Sequence, residues 1–136
     1  MKRFTLEFDT RGNTEITNLS KLISKHASDL SGVGLLHLFA VGSTCAITTV
    51  EFEAGLVQHD LRQVMQKIAP DDAFYHHEAT WSDDNGHSHV RSALVGPGVT
   101  VPFENGKLLT GEWQQIVFID FDTRPRKRKV IATVIS

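Results

Sequence analysis

The sequence predicts an α+β fold: one compact domain with a mixed, sandwich-like β-sheet and two or three helices. Three observations predict it. Segments with alternating apolar residues, the period of a half-buried strand, occur near both ends, whereas only two segments repeat clearly at the helical period. Helices are too few for a regularly alternating α/β fold. The 136 residues suffice for one sizeable core and would leave two independent cores marginal.

The elements follow in order. Phe4, Leu6 and Phe8 alternate with Thr5, Glu7 and Asp9 in a first strand, which Arg11-Gly12-Asn13 ends. From Ile16, apolar residues at Leu19, Leu22, Ile23, Ala27 and Leu30 form a helical stripe, with Thr17 or Asn18 as N-cap and Gly32 as stop. Residues 33–41 read as a mostly apolar strand, buried on both faces for part of its length and broken by Gly42-Ser43-Thr44. Residues 45–52, rich in Thr, Ile and Val, form the next strand and place Glu51 near its end. Leu56, Val57, Leu61, Val64, Met65 and Ile68 repeat at helical spacing, with His59 and Asp60 on the same helix and Pro70 closing it. Residues 90–95 extend a short helix into Gly96-Pro97-Gly98. Asn105-Gly106, between residues 99–103 and 107–109, is the pair favoured by a type I′ hairpin turn. Residues 115–121 and 129–135 are the last strands; residues 122–128, with Pro125 and several charges, read as an exposed turn between them.

Composition narrows the function classes. A formal net charge of -2 leaves no global positive field for nucleic acid or an anionic membrane. With 40% hydrophobic and 22% charged residues the chain reads as globular rather than disordered. The longest apolar runs, residues 33–41 and 116–121, fall far short of a bilayer span, and Glu7 and Asp9 interrupt any signal-peptide pattern. A single cysteine, Cys45, excludes an intramolecular disulfide framework and agrees with a reducing cytoplasm, where it reads as a small buried thiol.

Four of the seven histidines, His76, His77, His87 and His89, lie in one short segment rich in Asp, Asn and Gly. Neutral imidazole is a common ligand for zinc and related ions, so this segment is the first candidate for chemistry. An extended segment would turn His87 and His89 to one face, where they share a metal. A helical one would point them nearly oppositely, and His77 would then matter more. Glu78, Asp83 and Asp84 are candidate oxygen ligands or acceptors that orient an imidazole. Arg124, Arg126 and Arg128, with Lys127 and Lys129, form a basic run that suits bidentate phosphate binding, a solvated turn or an intersubunit salt bridge. Ser43 and Thr44 are candidate anion-binding donors. Trp113 offers a stacking surface or a core ring.

Taken together, residues 42–51, the Tyr75-x-His77 pair, Asn85-Gly86-His87-Ser88-His89-Val90, Val101-Pro102-Phe103, Gly111-x-Trp113-Gln114 and the 124–128 run resemble the YjbQ family of secondary thiamine-phosphate synthases. The resemblance spans nearly the whole chain. It implies a compact α+β domain, a homotrimer, and a histidine-lined pocket for a divalent metal, zinc or magnesium, near a subunit interface. Many members carry His where this chain has Gly42, and many have an acidic residue where it has His87. His87 is therefore expected to replace the missing imidazole and to join His77 and His89 as metal ligands. Carried over by position, Glu51 and Asp60 match acidic family positions, Trp113 and Gln114 its G-x-W-Q motif and Arg126 its final R-x-R region. Together with the residue readings above, Glu51, Asp60 and Gln114 are candidate catalytic residues, and Ser43, Thr44, Trp113, Arg124 and Arg126 candidate contacts to a phosphorylated small-molecule substrate.

The reaction implied joins a hydroxymethylpyrimidine diphosphate to a thiazole phosphate and releases pyrophosphate. Metal and arginines would neutralise the leaving group, Trp113 or Tyr75 would stack on the pyrimidine cation, and Glu51 or a histidine would move protons. The competing readings are metal-dependent hydrolysis of a small phosphorylated or acyl substrate, with Glu51 as general base, and a non-catalytic trimer that binds a phosphorylated metabolite.

Overall fold

The computed structural model describes residues 1–136. Its elements are β1 (Lys2–Thr10), β2 (Glu15–Asn18), α1 (Ser20–Ser24), β3 (Val33–Ala40), β4 (Cys45–Glu51), α2 (Leu61–Ile68), α3 (His76–Trp81), α4 (Gly86–Val95), β5 (Gly98–Glu104), β6 (Lys107–Leu108), β7 (Gln114–Asp120) and β8 (Arg126–Ile135). A 3₁₀ turn at Ala27–Asp29 follows α1, and a π-helical turn at Leu56–Asp60 leads into α2.

Eight strands divide into two sheets, ordered β1-β8-β3-β5-β6 and β2-β7-β4. The α+β class is as the sequence predicts, but every strand pairing is antiparallel, so neither sheet is mixed. The inner faces pack as a sandwich. Leu6, Leu36, Leu38, Val101, Phe103, Val130, Ala132 and Val134 of the first sheet meet Cys45, Ile47, Ile116 and Phe118 of the second, and Leu19, Ile23 and Leu30 close the core's edge. The second sheet's other face, through Ala46, Val117 and Ile119, packs with Phe121 against Met65 of α2 and Val95 of α4. Three layers result: sheet, sheet and helices.

Several local expectations change. The helix predicted from Ile16 starts later, because β-branched Ile16 and Thr17 extend as β2 along β7. The N-cap is Leu19 rather than Thr17 or Asn18, although the Asn18 side chain, one residue earlier, accepts the Ser20 N–H at 2.9 Å. β3 is not buried on both faces: it alternates, with Leu36, Leu38 and Ala40 inward and Val33, Leu35 and Phe39 exposed. No helix covers that outer face, and Val33 is 70% exposed. The 105–106 hairpin forms as expected, with φ of 49° and 84° at Asn105 and Gly106. α3 was not predicted, and α4 begins at Gly86 rather than Val90. Glycine is required there, since a Cβ would lie 2.5 Å from Tyr75 Cβ.

From Arg126 on, the basic run is a strand rather than an exposed turn; Arg124 alone stays in the exposed connection. β8 starts at Arg126 because β1 pairs along it, setting Glu7 opposite Lys129 and Asp9 opposite Lys127 on the outer face. Arg126 and Arg128 therefore point the other way, toward the layer below. Only residues 121–125 link β7 in one sheet to β8 in the other.

Register fixes the two ends of the molecule. Cys45 pairs with Asp120 at one end of β4, and Glu51 pairs with Gln114 at the other. Six steps of about 3.3 Å separate these ends by roughly 20 Å.

Candidate functional site

A network of carboxylates and arginines anchors the end of the sandwich marked by Cys45. Arg128, only 8% exposed, donates from Nε to Asp120 Oδ2 at 2.6 Å and from Nη2 to Asp120 Oδ1 at 2.8 Å, a bidentate pair. Its Nη2 also donates to Thr44 Oγ1 at 2.8 Å, and that hydroxyl donates to Asp122 Oδ2 at 2.9 Å. Asp122 further accepts the Asn85 amide (3.3 Å), the Arg124 backbone N–H (3.0 Å) and Arg126 Nε (3.1 Å). Burial pushes its carboxyl up, but the Arg124 N–H, Thr44, Asn85 and Arg126 outweigh burial and hold it below the ordinary value. Asn85, almost fully buried, joins this network to the start of α4: its Oδ1 accepts Ser88 Oγ at 2.8 Å and the Thr123 N–H at 3.1 Å.

The loop between α3 and α4 is tied by Glu78, whose carboxylate accepts the Asp84 N–H (2.7 Å) and the Gly86 N–H (2.8 Å). This fold-back brings His77, Asp83 and His89 together, each offering a ligand atom within 4.8 Å of the others. The His77 and His89 rings lie with centroids 4.5 Å apart. His89 Nδ1 is 3.1 Å from the Ser43 carbonyl oxygen; that oxygen only accepts, so Nδ1 carries the proton and Nε2 keeps its lone pair. Buried His77 Nδ1 has no hydrogen-bond partner, although Asp83 Oδ1 lies 3.3 Å away, out of line for a hydrogen bond. A buried, unpaired ring nitrogen beside a carboxylate fits a divalent cation, because coordination would satisfy both groups. Two imidazoles and one carboxylate match the donor set of open, three-ligand metal sites.

His87 does not join them. The segment is helical, so residues two apart diverge, and His87 is buried on the opposite side of α4 with its Nε2 3.4 Å from Ser88 Oγ. Burial first, and then the charge of Arg91, hold its pKa below the ordinary imidazole value. Nor is there room for a histidine at position 42: a Cβ there would lie 2.9 Å from both Arg128 Nη1 and Cys45 Sγ. The carboxylate of Asp83 takes the third position that His87 was expected to fill.

Asp83 and His89 also line an open cavity of about 410 Å³, together with Ser43, Asn85, Arg126 and Lys127, and no hydrophobic side chain reaches it. Among the expected substrate contacts, Ser43 and Arg126 are therefore brought to the cluster. Arg126 spends Nε on Asp122, and its two terminal nitrogens have no protein partner. Thr44 lines the cavity, but its hydroxyl is committed to Asp122 and Arg128. Arg124 is exposed and contributes only its backbone to this network. Burial pushes the Cys45 thiol up to about 11, against the lowering effect of Arg128, so it is protonated at neutral pH and no nucleophile.

The expected catalytic residues lie elsewhere in the chain. Glu51 and Trp113 share a separate cavity at the far end with Glu53 and Glu112, and Trp113 is 68% exposed rather than stacked or buried. Gln114 is used structurally, donating to Thr49 Oγ1 (2.9 Å) and accepting the Gly111 N–H (3.0 Å). Asp60 is exposed on the π-helical turn. Asp120, Asp122 and Asn85 were missed by sequence reasoning. A usable signal existed: carboxylates at alternate positions ending one strand, and arginines at alternate positions opening the next.

These features define a class: an antiparallel two-sheet sandwich, backed by helices on one side, with a two-histidine, one-aspartate cluster beside a cationic cavity. A sequence profile described as UPF0047 protein YjbQ-like matches residues 4–136, and the chain belongs to that family. A UPF0047 protein of Archaeoglobus fulgidus is 33% identical over 130 residues, covering 96% of this chain and 98% of the relative. Another, from Methanothermobacter thermautotrophicus, is 34% identical over 138 residues, covering 98% and 93%. Among solved structures, a YjbQ/UPF0047-family protein of Clostridium acetobutylicum superposes with a TM-score of 0.85 at 28% identity, covering 97% of this chain and 99% of that one. A hypothetical protein of Aeropyrum pernix gives 0.90 at 24% identity, covering 100% and 99%, a likeness of fold.

Proposed function

We propose that the protein is a divalent-metal-dependent enzyme acting on a phosphorylated small molecule, whose phosphate sits between the His77–Asp83–His89 cluster and Arg126. One observation carries this reading: Asp83 and His89 face the same cavity as Ser43, Arg126 and Lys127. The imidazole pair favours zinc over magnesium. When bound, the ion would neutralise phosphoryl charge and lower the pKa of a coordinated water.

The chain's own groups do the rest. The Ser43 carbonyl fixes the tautomer and direction of His89. Asp122 holds Arg126 so that its terminal N–H groups are free for the oxygens of a departing phosphate, while Lys127 adds a point charge at the rim. The family resemblance supplies a specific reaction of this kind: joining a hydroxymethylpyrimidine diphosphate to a thiazole phosphate with loss of pyrophosphate. The second reading, hydrolysis of a phosphate ester, is favoured by the lack of any hydrophobic side chain around the cavity. Trp113 is at the other end of the sandwich, and neither it nor Tyr75 lines this cavity, so neither expected ring is placed to stack on a pyrimidine there. We also propose a homotrimer that covers the exposed apolar strip of β3, Val33, Leu35 and Phe39, in a reducing cytoplasm suited to the lone thiol.

The test is pyrophosphate release by zinc-loaded protein from the pyrimidine diphosphate, with and without the thiazole phosphate. Release only with both substrates establishes the synthase reaction, and release from the diphosphate alone establishes hydrolysis. No release in either case, with phosphate binding that still depends on Arg126, would replace catalysis with a binding module.

A further inference from the structure

Helix α4 has a second polar face. His87 and Arg91, one turn apart, point away from His89 into another cavity, of about 380 Å³, and no hydrophobic side chain lines it. Arg91 is 5% exposed. Its three hydrogen bonds end on neutral oxygens: Nε donates to Ala69 O (2.9 Å), Nη1 to Thr14 Oγ1 (3.0 Å) and Nη2 to Gln66 Oε1 (2.8 Å). A guanidinium has five N–H groups, so one hydrogen on each terminal nitrogen lacks a protein acceptor. None of its nitrogens lies in a salt bridge.

The one carboxylate of the cavity, Asp71, is held by Gln66, which donates from Nε2 to Asp71 Oδ1 at 2.8 Å. Arg62, one turn before Gln66 on α2, lines the same wall and also has no salt-bridge partner. Buried charges in proteins are paired, because an uncompensated one forfeits its hydration without return. Burial is the largest influence on Arg91 and holds its pKa below the usual guanidinium range, against the raising effect of the Asp71 charge, which makes no hydrogen bond or ion pair with it. Thr14, which orients Arg91, sits at φ 64°, a left-handed conformation costly for a β-branched residue and maintained here by its surroundings.

We propose that this cavity is a second binding site, separate from the histidine cluster, for a small hydrophilic oxyanion, a phosphate monoester or a carboxylate, gripped by Arg91 and Arg62. The bound oxyanion supplies a counter-charge in direct contact and takes the unused N–H groups. Its remainder is hydroxylated rather than aromatic, since Gln63, Gln66 and Asn13 offer polar contacts and nothing apolar lines the cavity.

The experiment is NMR titration of the isotope-labelled full chain, stripped of metal with a chelator, using inorganic phosphate and acetate separately. The side-chain Nε–H signals of Arg91 and Arg62 and the backbone signals of Asn13 and Thr14 are followed. The expected result is a saturable shift at these groups with at least one probe. That shift is retained in Arg126→Ala, which removes a cation of the other cavity, and weakened about tenfold in Arg62→Ala, whose exposed site tolerates truncation. Arg91→Lys keeps the charge without the planar fork and weakens binding at least as much; should it unfold, Arg62→Ala decides. Saturation by phosphate alone assigns a phosphate ligand, and saturation by acetate alone a carboxylate. No saturable shift at Arg91 with either probe, shifts confined to residues 42–44 and Arg126, or equal affinity in wild type and Arg62→Ala would overturn the proposal.

Discussion

Replacing Asp120 with alanine removes the partner of a guanidinium that cannot return to water. Arg128 is 8% exposed and both of its Asp120 bonds are short, 2.6 and 2.8 Å. Asp120 also accepts the Thr10 hydroxyl at 2.5 Å and the Asp122 backbone N–H at 3.0 Å, so two further donors lose their acceptor. Breaking one side of a buried ion pair costs about 3–5 kcal/mol. At about 2.1 cal/mol/K of unfolding entropy per residue, 136 residues give about 0.29 kcal/mol/K, so the melting temperature should fall by roughly 10–17 °C. The assay is thermal and denaturant unfolding of wild type, Asp120→Ala, Arg128→Met and the double variant by circular dichroism. The double variant should recover part of the loss, because the two residues form one unit. A fall of about 1 kcal/mol or less for Asp120→Ala, or strict additivity of the two losses, would refute the pairing as the anchor of this end of the sandwich.

Acid stability should show Asp122. Its folded carboxyl lies below the ordinary value of 3.8, so its contribution is present above that pH and is lost as pH falls through the lower folded value; Asp122→Asn should weaken the protein at neutral pH and flatten its acid unfolding limb in urea titrations at several pH values. Light scattering should report a trimer for wild type, and Leu35→Lys with Phe39→Lys on the exposed face of β3 should yield monomer; a monomeric wild type would contradict the assembly. Cys45, buried and raised to about 11, should resist a thiol reagent at pH 8 in the native protein and react fully in denaturant; rapid native labelling would contradict its placement.

Residue period made most strands legible, because burial of one face imposes alternation whatever the wider topology. Leu6, Leu36, Leu38 and Val130 to Val134 follow it. The failures have physical causes. Ile16 matched a helical stripe, yet its strand is set by β7, about a hundred residues away in the chain. The run from Arg126 to Lys129 looks like a solvated turn until β1 supplies Glu7 and Asp9 opposite two of its lysines. Composition located the histidine cluster's segment, and His77 and His89 were legible in it. His87 was misassigned because the strand-or-helix choice for residues 86–90 decides which imidazoles converge, and neither periodicity nor spacing made that choice. Asp83 enters only through the fold-back that Glu78 ties. Glu51 shares the 42–51 motif with Ser43 in sequence, yet it stands with Trp113 and Gln114 a strand's length away in space.

The proposed chemistry depends on His77, Asp83 and His89 holding one divalent ion. Metal content per chain, measured on untagged protein after zinc loading and dialysis, tests it directly in wild type, His77→Ala, Asp83→Ala, His89→Ala and His87→Ala. One ion is expected in wild type and in His87→Ala, and loss of stoichiometric metal in the other three. Metal lost in His87→Ala but kept in Asp83→Ala, or no zinc retained by the wild type, would contradict it.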